Sequence, residues 1–409
     1  MQINTVTRWS KRLGFALVGM SAALSAGSAA ALAQCVERFP NILLQTGNPP
    51  QPLPVARAFP LGNGSSIGAL TSTLSSINTA FLTTTSAFVS GGSGAWARGV
   101  AGAADITTSS TGTLSQGTNN LGLNLAGSVN CNTTVRQEFI GLQTGMDISS
   151  QSVNGGRWNW GVMGGRLDVK NSDQTAPGTF NNGNAGTIPA TGFNSDTGLP
   201  YVGLYTAYSQ GGFFADAQIR WDFYSIAGKD PANIQPFSFS GTGIALTGNA
   251  GYSMPIGNQG WFIEPSGGIV WSRTGFDAIT VARNPALDIG SGTVVIDDVT
   301  SIIGRASLRI GQNITVGKIL YQPFGSYSIF HEFNGDVNVR STANNANGFN
   351  GDGLVLTTTS SGGLGTYHQF ALGTAAVLPN NVTLYVRGDY KHGDNVDGYG
   401  LSGGVRVPF

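Results

Sequence analysis

The chain has 409 residues, enough for one large core or two ordinary domains. Only 10% of them are charged, against about 25% typically, while its 61 glycines are about twice the usual share. Mean hydropathy is +0.03, which excludes a bundle of membrane helices, and zero net charge leaves no electrostatic footprint for nucleic acid. Few charges, intermediate hydropathy and much Gly, Ser, Thr and Asn match a barrel whose residues alternate between lipid and water.

Residues 1–33 read as a signal peptide. Arg8, Lys11 and Arg12 form a positive n-region, an apolar run follows from Leu13 to about Leu24, and Ala31-Leu32-Ala33 gives an A-x-A site ahead of Gln34. Its removal takes away three basic residues and no acidic one, so the remainder is slightly acidic. Residues 34–64 form a short proline-rich segment that reads as an extended tether. Cys35 and Cys131 are the two cysteines, and in an oxidising periplasm one bridge between them is expected, with two unpaired thiols as the alternative.

Over 65–92 the period changes. Ile67, Leu70, Leu74, Ile77, Phe81 and Phe88 recur at three-, four- and seven-residue steps, which predicts an amphipathic helix. Ser, Thr and Asn lie between them without a charge, a face suited to a narrow polar channel, where a charge would need a partner.

From residue 93 onward the pattern is strand. Twelve strands are predicted at about 95–106, 135–150, 157–170, 199–210, 211–226, 240–254, 261–275, 300–312, 318–331, 366–378, 381–392 and 398–409. The clearest is GFFADAQIRWDF at 212–223, where Phe213, Ala215, Ala217, Ile219, Trp221 and Phe223 share one parity and Asp216, Arg220 and Asp222 the other. By the same alternation Glu264, Arg305, Arg309, Arg387 and Arg406 join those three as charges facing a wet lumen, in a structural role through pairing and through bonds to the helix hydroxyls. In the third strand the apolar parity slips between Val162 and Leu167, predicting a bulge at Gly164-Gly165.

Connections after strands two, four, six, eight and ten are tight, and the others are longer, with the longest around 171–198 and 332–365. Short turns at one end and long loops at the other, with an even strand count, predict an all-β transmembrane fold: a 12-stranded antiparallel outer-membrane β-barrel with the N-terminal helix in its lumen. The last strand puts Tyr399, Leu401, Val405, Val407 and Phe409 on one parity and stops at Phe409, a pattern that resembles the signal read by the barrel-assembly machinery.

Catalytic patterns are sparse. His331, His368 and His392 fall near the loop ends of strands nine, ten and eleven, with Glu332, Asp389, Asp394 and Asp397 close in sequence. The plain reading is a polar rim. The spacing of a closed metal site, His-Glu-x-x-His and G-x-S-x-G are all missing, so no catalytic residue, metal or cofactor is assigned.

The leader, the helix ending TTTSAFVS at 83–90, GAWARGVAG at 94–102 and the strands closing on GVRVPF at 404–409 together resemble the autotransporter β-domain, more narrowly the α-proteobacterial type. That resemblance implies a pore-threading helix joining a surface passenger to the first strand. It also implies outer-membrane lipid, the barrel-assembly machinery and periplasmic chaperones as partners, a monomeric barrel, and a location in the outer membrane of a Gram-negative bacterium. Two departures stand out. The stretch in the passenger's place, 34–60, is far shorter than the β-helix such proteins export, and Pro408 leaves the final strand short of one donor. Pore-cleaving family members use paired asparagines, whereas this helix has Asn78 followed by Thr79, so no such cleavage is expected. Two other functions stay open: a small-solute porin with a movable plug, and a surface adhesin using loops 171–198 and 332–365 toward a host or matrix ligand.

Overall fold

In the computed structural model the described residues are 43–44, 51–52, 64–80, 82, 93–115, 127–174, 178–179, 187–188, 194–229, 237–281, 291–344, 354–361 and 363–409. The chain divides into two units, Met1–Leu32, which lies outside those residues, and Ala33–Phe409.

The second unit is a closed antiparallel barrel of twelve strands. They are β1 (Gly94–Ser115), β2 (Gly127–Val153), β3 (Gly156–Asp173), β4 (Asn194–Gln210), β5 (Phe213–Lys229), β6 (Phe237–Tyr252), β7 (Trp261–Phe276), β8 (Val299–Gln312), β9 (Ile319–Asn334), β10 (Thr366–Val377), β11 (Thr383–Gly393) and β12 (Val396–Pro408). Each pairs with its chain neighbour, and β12 returns to β1 from Val396 opposite Ile106 to Pro408 opposite Gly94. Closure leaves no unpaired sheet edge, which is the condition for strands to cross hydrocarbon.

Two rules of sequence set this shape. Alternation places one parity outward, and outside lies a belt of exposed Ile140, Leu142, Val202, Leu204, Trp221, Phe223, Leu308, Ile310, Leu372 and Leu401. In water such a belt far exceeds the apolar patch a soluble monomer tolerates, whereas lipid matches it. Tight turns sit at one end, here the turn end. Between β2 and β3, Asn154 and Gly155 both take positive φ, at 51° and 80°, the conformation a two-residue hairpin requires. Aromatic side chains mark both borders: Trp158, Trp160, Tyr208 and Phe213 near the turns, and Tyr327, Phe370, Tyr390 and Tyr399, in cross-strand register, toward the loop end.

Several strands run past their predicted limits. β1 and β2 continue together toward Ser115 and Gly127, and the 332–365 region holds strand segments Val337–Asn344 and Leu354–Ser361. These pair with Ser291–Ile296 on one side and with β1 on the other, raising a collar above the barrel. The collar forms because Ile279, Val294, Ile296, Val337 and Val339 turn inward and bury themselves in one cluster with the helix.

The predicted bulge at Gly164-Gly165 is absent; β3 pairs there without a break on both sides. Val162 faces out and Leu167 faces in, because near the loop end the lumen itself is apolar. The irregularity lies instead on β2, between Asp147 and Ser149.

Candidate functional site

The helix α1 spans Gly64–Ala80; of residues 81–92, which periodicity also assigns to it, Leu82 alone is among the described residues. Leu82 N bonds Thr79 O at 3.2 Å in a closing turn. Phe81 and Phe88 lie outside the described residues, as does the side chain of Ile67. Gly, Ser and Thr are poor helix formers, so this helix depends on its enclosure.

Most of its second half is enclosed, with Ser76 and Ala80 half-buried. Leu70, Leu74 and Ile77 are buried, and so are Thr71, Ser72, Thr73, Ser75, Asn78 and Thr79. The three apolar residues pack in a cluster with Val135, Phe139, Leu167, Val169, Leu199, Tyr224, Ile226, Phe237 and Phe239. Leu82, fully buried, sits in a second cluster with Ile106, Val270, Ile303, Phe330, Leu364 and Tyr367. α1 therefore occupies the loop half of the lumen.

Its polar face is held by strand side chains. Gln137 Nε2 on β2 donates to Ser72 Oγ and Thr73 Oγ1, both at 3.2 Å, and Asn171 Nδ2 on β3 donates to Thr73 Oγ1 at 3.0 Å. Ser75 Oγ donates to both carboxylate oxygens of Glu332, at 2.8 and 2.9 Å. Glu332 also accepts from Ser301 Oγ and from the backbone N–H of Leu364, each at 2.7 Å. One carboxylate thus joins helix, β8, β9 and the segment leading into β10. Asn78 Nδ2 donates to Ser272 Oγ at 2.7 Å, and its Oδ1 accepts from Arg220 at 3.3 Å.

The turn half of the lumen is filled differently. Asp216, Arg220, Asp222, Glu264, Arg305, Arg309, Arg387 and Arg406 are all buried. Arg220 forks onto Asp222 at 2.6 and 2.9 Å. Arg309 pairs with Glu264 and lies over the rings of Phe262 and Phe324, about 5 Å from each centroid. Asp216 accepts from Asn249 at 3.1 Å, and Arg387 donates to Gln369, which donates to Asp389. Of the eight predicted lumen charges, Arg220 bonds α1 through Asn78. Helix hydroxyls bond Gln137, Asn171 and Glu332.

At the turn end a buried carboxylate gathers the seam. Asp147 pairs with Arg406 on β12, accepts the backbone N–H of Gly94 at the start of β1 at 2.8 Å, and accepts Tyr205 Oη on β4 at 2.6 Å. Trp96 Nε1 donates to Tyr205 Oη at 2.9 Å. Sequence reading missed Asp147, Gln137 and Asn171. Their parity was the available signal, since Gln137, Gln143 and Asp147 share the inward face of β2.

Tyr399, Leu401, Val407 and Phe409 are exposed on the outer face, and Val405 is half-buried. Cys35 and the side chain of Cys131 lie outside the described residues. No group of three or more His, Cys, Asp or Glu among the described residues is arranged to enclose a metal ion.

Comparison with known proteins points one way. The model of the autotransporter beta-domain matches residues 95–389. A probable autotransporter of Escherichia coli K12, YcgV, is 23% identical over 216 residues, which is 51% of this chain and 20% of that protein. The chain therefore spans about a fifth of that relative's length. Among solved structures, the transport unit of the E. coli autotransporter AIDA-I superposes with a TM-score of 0.57 at 15% identity, over 84% of this chain and 99% of that one. The beta domain of the Bordetella autotransporter BrkA does so with a TM-score of 0.52 at 20% identity, over 77% and 99%.

Proposed function

The chain belongs to the autotransporter β-domain family, and from that premise we propose that it carries its own N-terminal segment across the outer membrane and then holds it there, plugged by α1. It is a translocator-type β-barrel of the outer membrane of Gram-negative bacteria. The observation that carries the finer reading is the seat of α1. A helix of weak intrinsic propensity is buried in the lumen, bonded to β2, β3, β7 and β9, and followed by β1 in the chain.

In this reading residues 34–60 sit at the cell surface with the long loops, and the work is positional, without catalysis. Insertion depends on the barrel-assembly machinery, which reads the exposed apolar parity of β12 carrying Tyr399, Leu401 and Val407. Protease shaving of intact cells, followed by mass spectrometry, tests it. Release of peptides from 34–60 is the expected result. Protection of that segment on intact cells, with cleavage only after the outer membrane is opened, would overturn it.

A further inference from the structure

Two histidines stand directly opposite each other on the outer face of the barrel, one step beyond the aromatic border at the loop end. His368 on β10 is the register partner of His392 on β11, and His392 is the partner of Asp397 on β12. Directly opposed residues in an antiparallel pair have Cβ atoms about 4.5–5.5 Å apart, a span two imidazoles close around one ion. Both rings are already oriented. His368 Nδ1 meets Tyr327 Oη at 2.8 Å and its ring stacks on Tyr327. His392 Nδ1 faces Asp397 Oδ2 at 3.6 Å and its ring stacks on Tyr390.

Tyr327 holds Nδ1 of His368 and the Asp397 carboxylate faces Nδ1 of His392, so Nε2 is the nitrogen each ring has for a metal. A hydroxyl or carboxylate on one imidazole nitrogen, fixing the ring for a metal on the other, is the arrangement that supports histidine ligands in metalloproteins. We infer that His368 and His392 form an open binding site for a divalent transition ion of the copper–zinc class, with Tyr327 and Asp397 as positioning residues. Imidazole suits these ions, and water completes the coordination. His331 lies outside the pair. It faces Thr366, a diagonal step from His368, and its Nδ1 meets Thr366 Oγ1 at 2.8 Å.

The test uses the full, untagged chain refolded in detergent with both thiols alkylated, titrated with Cu2+ and read by electron paramagnetic resonance, with Zn2+ as competitor. One ion per chain with hyperfine coupling from two imidazole nitrogens is expected. His368→Asn and His392→Asn should each lose one nitrogen and weaken binding at least tenfold. Asp397→Asn should weaken it severalfold while keeping both nitrogens, and His331→Asn should change nothing. Each variant is checked for the heat-modifiable gel mobility of a folded barrel. A folded His368→Asn/His392→Asn double variant that binds as tightly as the parent would overturn the site. So would a parent spectrum without two imidazole nitrogens.

Discussion

The two halves of the lumen fill the same bore by opposite means. Toward the turns the strands fill it themselves with buried, mutually paired charges such as Arg309–Glu264 and Arg406–Asp147. Toward the loops a separate segment fills it, bringing leucine, isoleucine and hydroxyls but no charge. A charged helix would strand unpaired ions on leaving, at several kcal/mol each. A neutral helix leaves behind groups that water can satisfy. The separate segment is thus the neutral one, and the ion pairs are kept among the strands.

The largest effect is expected where the strand-filled half closes the seam. Asp147→Ala strands Arg406, Tyr205 and the Gly94 N–H. It should cost about 3–5 kcal/mol and lower the temperature at which the compact gel band converts to the unfolded one. An unchanged conversion temperature would remove the seam from the account. Leu74→Ala should cost roughly 3 kcal/mol of helix seating, read as faster hydrogen exchange in α1 with the barrel's conversion temperature retained. If the barrel melts as well, the two halves are not separable. Glu332→Gln keeps the shape and gives up the charge in the bonds from Ser75, Ser301 and Leu364. A loss of about 1–2 kcal/mol is expected, again in the exchange of α1 and not in the barrel. The smallest effect concerns Cys35 and Cys131. A bridge between them should shift mobility on a non-reducing gel, while reduction leaves the conversion temperature in place; alkylation of both thiols in untreated protein would exclude the bridge.

The barrel was legible because lipid on one side and water on the other force a period of two. In β5, Trp221 and Phe223 outside against Arg220 and Asp222 inside follow from alternation alone. That logic weakens where the lumen is apolar. Leu167 reads as a slip of register because apolarity marks the lipid face elsewhere, yet here it touches a helix cluster. The collar strand Val337–Asn344 was hidden for a similar reason, carrying Asn338, Arg340 and Thr342 on the outward parity. Periodicity located α1, whereas its partners Gln137, Asn171 and Glu332 come from strands far away in sequence, and only closure of the barrel brings them together.

Single-channel recording in planar bilayers tests the central claim most directly, comparing the full chain with a variant lacking residues 64–82. A closed full-length protein beside a deletion variant with a steady open conductance is the predicted result. Equal conductance in the two would contradict a lumen stoppered by its own helix.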